Sequence, residues 1–400
     1  MNTATVGLAY GDCAKAKIVD ILASDYDVCT RFAGGNNSGH TCVVNGDTFK
    51  LHLVPCGALR NLVCVLANGM VIDPLVLRDE INFVHEKGFS PEILVSHVAH
   101  VIMPWHRTSD VSGTEGSKIG TTRRGVGPAY ATKMHRWNAI RMGDLLANLR
   151  EEKTQRFFAA DAALHGDELW NKYHEAAKFI QPYICDTGKY LRQALKDKKN
   201  LLFEGAQGIG LDIDHGFSFP FVTSSATGPA AIPQSCGLPN LHLNRIIGVL
   251  KCHFTRVGNG PFPSEIWSDS CDGELLWLNK HKHGKDMTMA QVRDYIRSRG
   301  NEYGTTTGRP RRIGWFHMDL AREAVALTGA TEIALMHADT TAGLPEVGMM
   351  VDGKVKRFPG WDSHLSPEFN DYVRFIEENL GIPVKIISYG PDREQVYYRT

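Results

Sequence analysis

Apolar runs of strand length alternate with helix-period segments along this chain, and that alternation constrains its fold more than any other feature. Thr5–Tyr10, Phe49–Val54, Leu62–Val71, Leu201–Phe203 and Glu332–Met336 read as strands, with helical patterns between many of them. Strands separated by helices bury their apolar surface as a mostly parallel central sheet flanked by helices, so an α/β fold is predicted. The clearest helix opens on Ser366-Pro367-Glu368, carries an apolar stripe at Phe369, Tyr372, Val373, Ile376 and Leu380, and ends at Gly381 and Pro383. Val384–Ser388 follows as a buried strand stopping at Tyr389-Gly390-Pro391, and loops at strand ends are ligand positions.

No linker, charge block or repeat divides the sequence, which predicts one large domain over residues 1–400. The stretch from Gly143 to Lys199 reads as a mostly helical insertion covering the sheet. Lys and Arg together number 44, as do Asp and Glu, so no global field attracts nucleic acid or an anionic membrane. The nine cysteines are scattered, with no CxxC pair, which predicts reduced thiols and a cytoplasmic address. The N-terminal MNTATVGLAYGDC has no basic segment leading into an apolar one, and no run approaches membrane-spanning length.

Chemistry is concentrated in polar, glycine-rich segments. The first strand runs into Gly11-Asp12-Cys13-Ala14-Lys15-Ala16-Lys17 and then a helix, an arrangement that can cradle phosphate or be an ordinary strand-to-helix turn. Gly34-Gly35-Asn36-Asn37-Ser38-Gly39-His40-Thr41 lies between two strand candidates; a hairpin turn explains its Gly and Asn but has less use for the histidine. Three more follow: IGTTRRGVGPAY from Ile119, EGAQG from Glu204, and GTTTGRPRR from Gly304. Arginine forks beside threonine hydroxyls suit a carboxylate or a phosphate, whereas a solvated face calls for no flanking TTTG. His97, His100 and His106 have no carboxylate or thiol at ligand spacing, and His281-Lys282-His283 reads as a solvated loop. Cys13 reads as a small filler residue.

Taken together and in order, GDCAKAKIVD, GGNNSGHT, IGTTRRGVGPAY, FEGAQGIGLDIDHG, TRVGNGPFPSE, NEYGTTTGRPRRIGW and ISYGPDR resemble the adenylosuccinate synthetase family, from near the N-terminus to Arg393. The resemblance implies a single-domain α/β fold related to P-loop NTPases, working as a homodimer. It implies a ligase that joins L-aspartate to inosine monophosphate with GTP and Mg2+. Position by position, Asp12 matches the base that takes the purine N1 proton, and Asp12 with the carbonyl of Gly39 matches the metal ligands. His40 matches the acid that stabilises charge on the transferring phosphoryl group. Asn37, Thr122, Gln207 and Thr223 match contacts to the purine nucleotide, with Gln207 also at the reacting centre, and Val257 borders the ribose. Arg136 matches an arginine that reaches the 5′-phosphate from the other subunit.

Thr305, Thr306, Thr307, Gly308 and Arg309 resemble the loop that closes on aspartate, with Arg309 and Arg311 as partners for its carboxylates. Lys15, Lys17 and Thr41 sit where the family grips the triphosphate, and Asp339, Ser388 and Gly390 where it reads the guanine.

Three departures stand out. Cys13, Ala14 and Ala16 replace a glutamate and two glycines, which predicts a rerouted loop if those positions need positive φ. His337 replaces the lysine that packs on guanine, which leaves ATP as an alternative to GTP. Arg123 stands where glycine is usual, and Pro310 interrupts the arginine run. A viral branch of the family aspartylates deoxyguanylate and replaces the loop aspartate with a small residue; this chain keeps Asp12. The alternatives left open are a variant acting on dGMP or GMP with ATP or dATP, and a nucleotide-binding homologue without turnover.

Overall fold

The computed structural model describes residues 1–112, 118–149, 168–266, 287–304 and 308–399. Among these, ten strands form one sheet. Their spatial order is Val396–Tyr398, Val384–Ser388, Glu332–Met336, Arg245–Lys251, Asn2–Gly7 (β1), Leu201–Glu204, Val28–Arg31, Val63–Leu66, Glu92–Ser96 and Ile184–Cys185. Every neighbouring pair is parallel except the first, where the edge strand Val396–Tyr398 runs antiparallel. Parallel strands need crossovers, and the helices that make them cover both faces, so the central strands are buried on both faces rather than alternating between buried and exposed. β1 is buried at every residue after Asn2.

The strands at Glu332–Met336 and Val384–Ser388 and the helix at Pro367–Leu380 fall where the sequence predicts them. Ser366 Oγ accepts from Phe369 N at 3.2 Å, and Gly381 takes the left-handed conformation at φ 69°, so both helix ends are satisfied as expected. This helix packs Phe369 and Tyr372 against Trp361; burying aromatics of this size stabilises by roughly 1.5–3 kcal/mol each.

Other expectations need correction. The run Thr5–Tyr10 is strand only to Gly7, because Leu8, Ala9 and Tyr10 are apolar as core-filling loop residues. Leu62–Val71 divides into Val63–Leu66 and Val71–Ile72 around a turn, and Asp47–Leu51 pairs with His40–Val44 in a separate hairpin. The stretch after Gly143 does more than cover the sheet, since it supplies the edge strand Ile184–Cys185 and the helix Thr187–Lys196. Residues 150–167 of that stretch lie outside the described ones.

A second sheet, ordered His253–Arg256, Arg312–His317, Glu346–Val351 and Lys354–Pro359, stands beside the first and carries Arg311 at its rim. The eight described cysteines are free thiols. Among the described residues, no helix is long and apolar enough to cross a membrane.

Candidate active site

The carboxyl ends of β1 and of the strands at Val28–Arg31, Leu201–Glu204, Arg245–Lys251, Glu332–Met336 and Val384–Ser388 all open on one cleft of about 1730 Å³. That volume exceeds the range of a single small-ligand pocket, so more than one nucleotide-sized molecule fits. Strand-end loops supply its walls because the chain reverses there, leaving backbone groups that no ladder uses.

The first wall is the loop after β1. Gly11, Asp12 and Ala14 all have positive φ, at 81°, 48° and 63°, and helix α1 (Lys15–Leu22) begins directly after them with no side-chain cap. Its first N–H groups are therefore available to an anion. The loop does not avoid the left-handed region as the sequence suggested: Ala14 enters it, while Ala16 sits inside α1 with ordinary helical geometry. A Cβ there costs about 1–2 kcal/mol, partly offset by the lower unfolded-state entropy of alanine. Replacing Ala14 with glycine is expected to raise unfolding stability by about 0.5–1 kcal/mol in urea titrations; unchanged or lower stability would show that the loop is not strained.

Tight packing brings the other loops against this one. At Gly7, a Cβ would lie 2.7 Å from the carbonyl oxygen of Gln207, and at Gly34, with φ 81°, it would lie 2.8 Å from Ala206 Cβ. Only glycine permits these approaches. The Gly34 loop is braced by Tyr130, whose hydroxyl accepts from Gly34 N at 3.0 Å and donates to Gly69 O at 2.7 Å. Asn36 is fixed by a 3.2 Å bond to Asp73, which also caps the Pro74–Glu86 helix. Thr223 is held by its backbone bond to Leu211 O at 2.7 Å, next to Asp212, whose carboxylate gathers the backbone N–H groups of Asp214, His215 and Thr227.

His40 is buried, with Nδ1 on the carboxylate of Glu204 and Nε2 3.0 Å from Ser38 Oγ. Burial alone would raise Glu204, but the imidazole of His40 and the guanidinium of Arg31 bring it down to about 2, so it stays ionised. Burial also lowers His40, against the pull of Glu204. The pair therefore rests with Nδ1–H donating to Glu204, which leaves Nε2 as the ring's acceptor, engaged by the Ser38 hydroxyl.

Lys15 donates to the carbonyl of Gln207 and approaches Cys13 Sγ at 3.6 Å. Lys17 reaches across to Ser388 Oγ at 2.8 Å and Gly390 O at 2.8 Å, and burial pulls it down to about 8 despite Asp339 and Asp392. Arg393 pairs with Asp20 inside α1 at 2.5 and 2.9 Å, which ties the Ser388–Arg393 loop to the first helix. Asp12 is paired with Arg311, Nε to Oδ2 at 2.9 Å.

Of the residues to which the resemblance gives a role, every described one lines the cleft except Arg136 and Arg309, which are exposed outside it. Thr305, Thr306 and Thr307 lie outside the described residues. Arg311 is buried and already holds two carboxylates, those of Asp12 and Glu302. His106 is a structural residue, accepting from Met103 N at 3.0 Å and bonding Thr132 Oγ1 at 3.1 Å, and His97 bonds the carbonyl of Cys185. No motif in the sequence marks a role for Glu204, Glu302 or Lys251. The available signal was a charge closing an apolar run, as in Leu201-Leu202-Phe203-Glu204 and Val249-Leu250-Lys251.

Comparison with known proteins gives a consistent result. The family model for adenylosuccinate synthetase matches residues 4–359. The adenylosuccinate synthetase of Carboxydothermus hydrogenoformans is 38% identical over an alignment of 440 positions covering 98% of this chain and 97% of that protein. That of Geobacillus kaustophilus is 36% identical, covering 98% and 97%. Among solved structures, fully ligated adenylosuccinate synthetase from Plasmodium falciparum superposes with a TM-score of 0.82 at 30% identity, covering 100% of this chain and 99% of that one. The cyanophage S-2L succinoaminodeoxyadenylate synthetase, bound to dGMP and dATP, superposes at 0.66 with 23% identity over 99% and 95%, a likeness of fold. With its ordered strand-end loops on one cleft, this chain belongs to the adenylosuccinate synthetase family, ligases that join aspartate to inosine monophosphate using GTP.

Proposed function

We propose that this protein, as one domain spanning residues 1–400, joins L-aspartate to C6 of inosine monophosphate through a 6-phosphoryl intermediate, with GTP as phosphoryl donor. The observation that carries this reading is a set of buried polar atoms with no hydrogen-bond partner among the described residues: both amide atoms of Gln207, Asn37 Oδ1 and Thr121 Oγ1. Gln207 and Asn37 line the cleft with Asp12 and His40. Buried amides are paired in working proteins, and a purine edge offers the alternating donors and acceptors they need.

The chemistry follows from the residue types. Asp12 takes the N1 proton, so that O6 becomes nucleophilic and attacks the γ-phosphorus, releasing the nucleoside diphosphate. The amine of aspartate then adds at C6 and gives up a proton, and the C6–O6 bond breaks to release inorganic phosphate, which takes that proton. Protonated at Nε2 from solvent, His40 donates to the phosphoryl oxygens as negative charge gathers there, with Glu204 as counter-charge to the imidazolium. Arg309, Arg311 and the Thr305–Gly308 loop receive the aspartate carboxylates. Lys15, Lys17 and Thr41 hold phosphates, and Asp339 accepts N–H groups of guanine beside Ser388 and Gly390. Asp339 favours guanine over adenine, since adenine presents an acceptor where guanine presents N1–H.

The carboxylate of Asp12 and the carbonyl of Gly39 are hard oxygen donors on the same cleft, a set that fits Mg2+ completed by phosphates and water. When bound, that ion neutralises phosphate charge.

The test is phosphate release with aspartate and GTP or ATP, using inosine monophosphate, guanylate or deoxyguanylate as acceptor. Turnover is expected with inosine monophosphate and GTP. Turnover confined to deoxyguanylate, or none at all, rejects the reading.

The working form in this reading is a cytoplasmic homodimer. Arg136 lies outside its own cleft at a helix end with φ 64°, between Met134 and Trp137, which are 73% and 86% exposed. An arginine flanked by exposed apolar side chains suits an interface at which one subunit completes the other's site. Arg136→Leu and Asp12→Asn chains are each expected to be inactive, and a re-paired equal mixture to recover roughly a quarter of parental activity, because half the dimers are mixed and each has one intact site. If subunit exchange is demonstrated and no activity returns, Arg136 does not act across the interface.

A further inference from the structure

We infer that Glu302 is a positioning residue for this reaction, holding Arg311 and through it the carboxylate of Asp12; the inference rests on the reading of Asp12 as the base. Glu302 is fully buried, and it stands behind the cleft wall that Lys251, Arg311 and His337 form. Its two oxygens collect Lys251 Nζ at 2.7 and 2.8 Å, His253 Nε2 at 2.9 Å and Arg311 Nη1 at 2.6 Å, with His337 Nδ1 at 3.7 Å. Burial would favour the neutral acid, but Lys251, His253 and His337 outweigh it and hold Glu302 well down as the carboxylate.

The backbone repeats the connection. Arg311 N donates to Glu302 O at 2.9 Å, and Tyr303 and Pro310 form the next bridge, so Glu302 and Arg311 close the base of one hairpin. Arg311 is thus fixed at both ends. Its Nη1 is on Glu302 and its Nε is on Asp12 Oδ2 at 2.9 Å. A long guanidinium held by one carboxylate alone would swing. The second, buried carboxylate fixes the plane of the fork and so the point at which it meets Asp12.

Glu302 also keeps two cations, Lys251 and Arg311, in a wall that has to receive anions. Removing it leaves Lys251 buried without a carboxylate partner and Arg311 held only through Asp12, so the guanidinium is free to turn away from its present alignment with that carboxylate. Its effect therefore falls on geometry at the reacting centre more than on the affinity of anions for the cleft.

The experiment compares Glu302→Gln, which keeps shape and loses charge, with Glu302→Asp, which keeps charge, in the full chain. Thermal melting counts the folded fraction. For folded Glu302→Gln, kcat is expected to fall on the order of 10–100-fold, with the KM for GTP changed less than about threefold. Glu302→Asp is expected to recover part of the loss. In an Arg311→Gln background the same substitution is expected to change kcat less than about twofold, because its route to Asp12 is already cut. A crystal structure of Glu302→Gln gives a readout independent of turnover, with the Arg311–Asp12 pair expected to open beyond hydrogen-bond range. A folded Glu302→Gln protein with parental kcat, independent multiplication of the two losses, or an unchanged Arg311–Asp12 pair overturns the inference. Failure of the functional reading shows separately, as a parent chain that does not turn over.

Discussion

Asp12→Asn is expected to lower kcat by about 10³-fold or more while leaving the fold intact. Asparagine keeps the shape of the side chain but cannot take the N1 proton, so O6 stays a poor nucleophile. It also loses the negative charge proposed for Mg2+. The fold survives because Arg311, its ion-pair partner, remains held by Glu302 at 2.6 Å, so no buried cation is left unpaired. Steady-state kinetics at saturating substrates, with circular-dichroism melting as the control, measures this. Activity within about tenfold of the parent would exclude Asp12 as the base, since general-base catalysis alone contributes roughly 10²–10⁴-fold.

The second large effect is expected at His40, where replacement by alanine lowers kcat on the order of 10²–10³-fold and moves nucleotide KM values little. The imidazole acts on charge that develops during phosphoryl transfer, so its loss raises the barrier without loosening the ground state. Alanine also strands the ionised Glu204, which is completely buried, and destabilisation follows. His40→Asn separates the two effects, because its amide can still donate to Glu204. Stability is expected to return in that variant and the rate is not. If KM collapses while kcat at saturation stays parental, His40 binds the nucleotide and does not act on the transition state.

Much of this was legible in the sequence because local rules acted alone. The Ser366 cap, the apolar stripe from Phe369 to Leu380 and Gly381 at its end define a helix whatever surrounds it. The glycine-rich loops were legible for a related reason. Gly7, Gly11 and Gly34 occupy places where backbone meets backbone or φ is positive, which the residue type itself announces. The strand ends were less legible, as in Thr5–Tyr10, because an apolar residue looks the same in a paired strand and in a core-filling loop.

The sequence alone determined the fold class, the order of the loops and the glycine-rich segments that reach the cleft, since each loop carries its own chemistry and parallel strands deliver successive loops to one end of the sheet. Tertiary structure alone decided what those residues rest on. Glu204 behind His40 lies 164 positions away in the chain, and Arg311 beside Asp12 lies 299 away. Partnerships of that kind have no local signature, because a buried charge is tolerated only where the fold brings its counter-charge, and sequence distance says nothing about where that is.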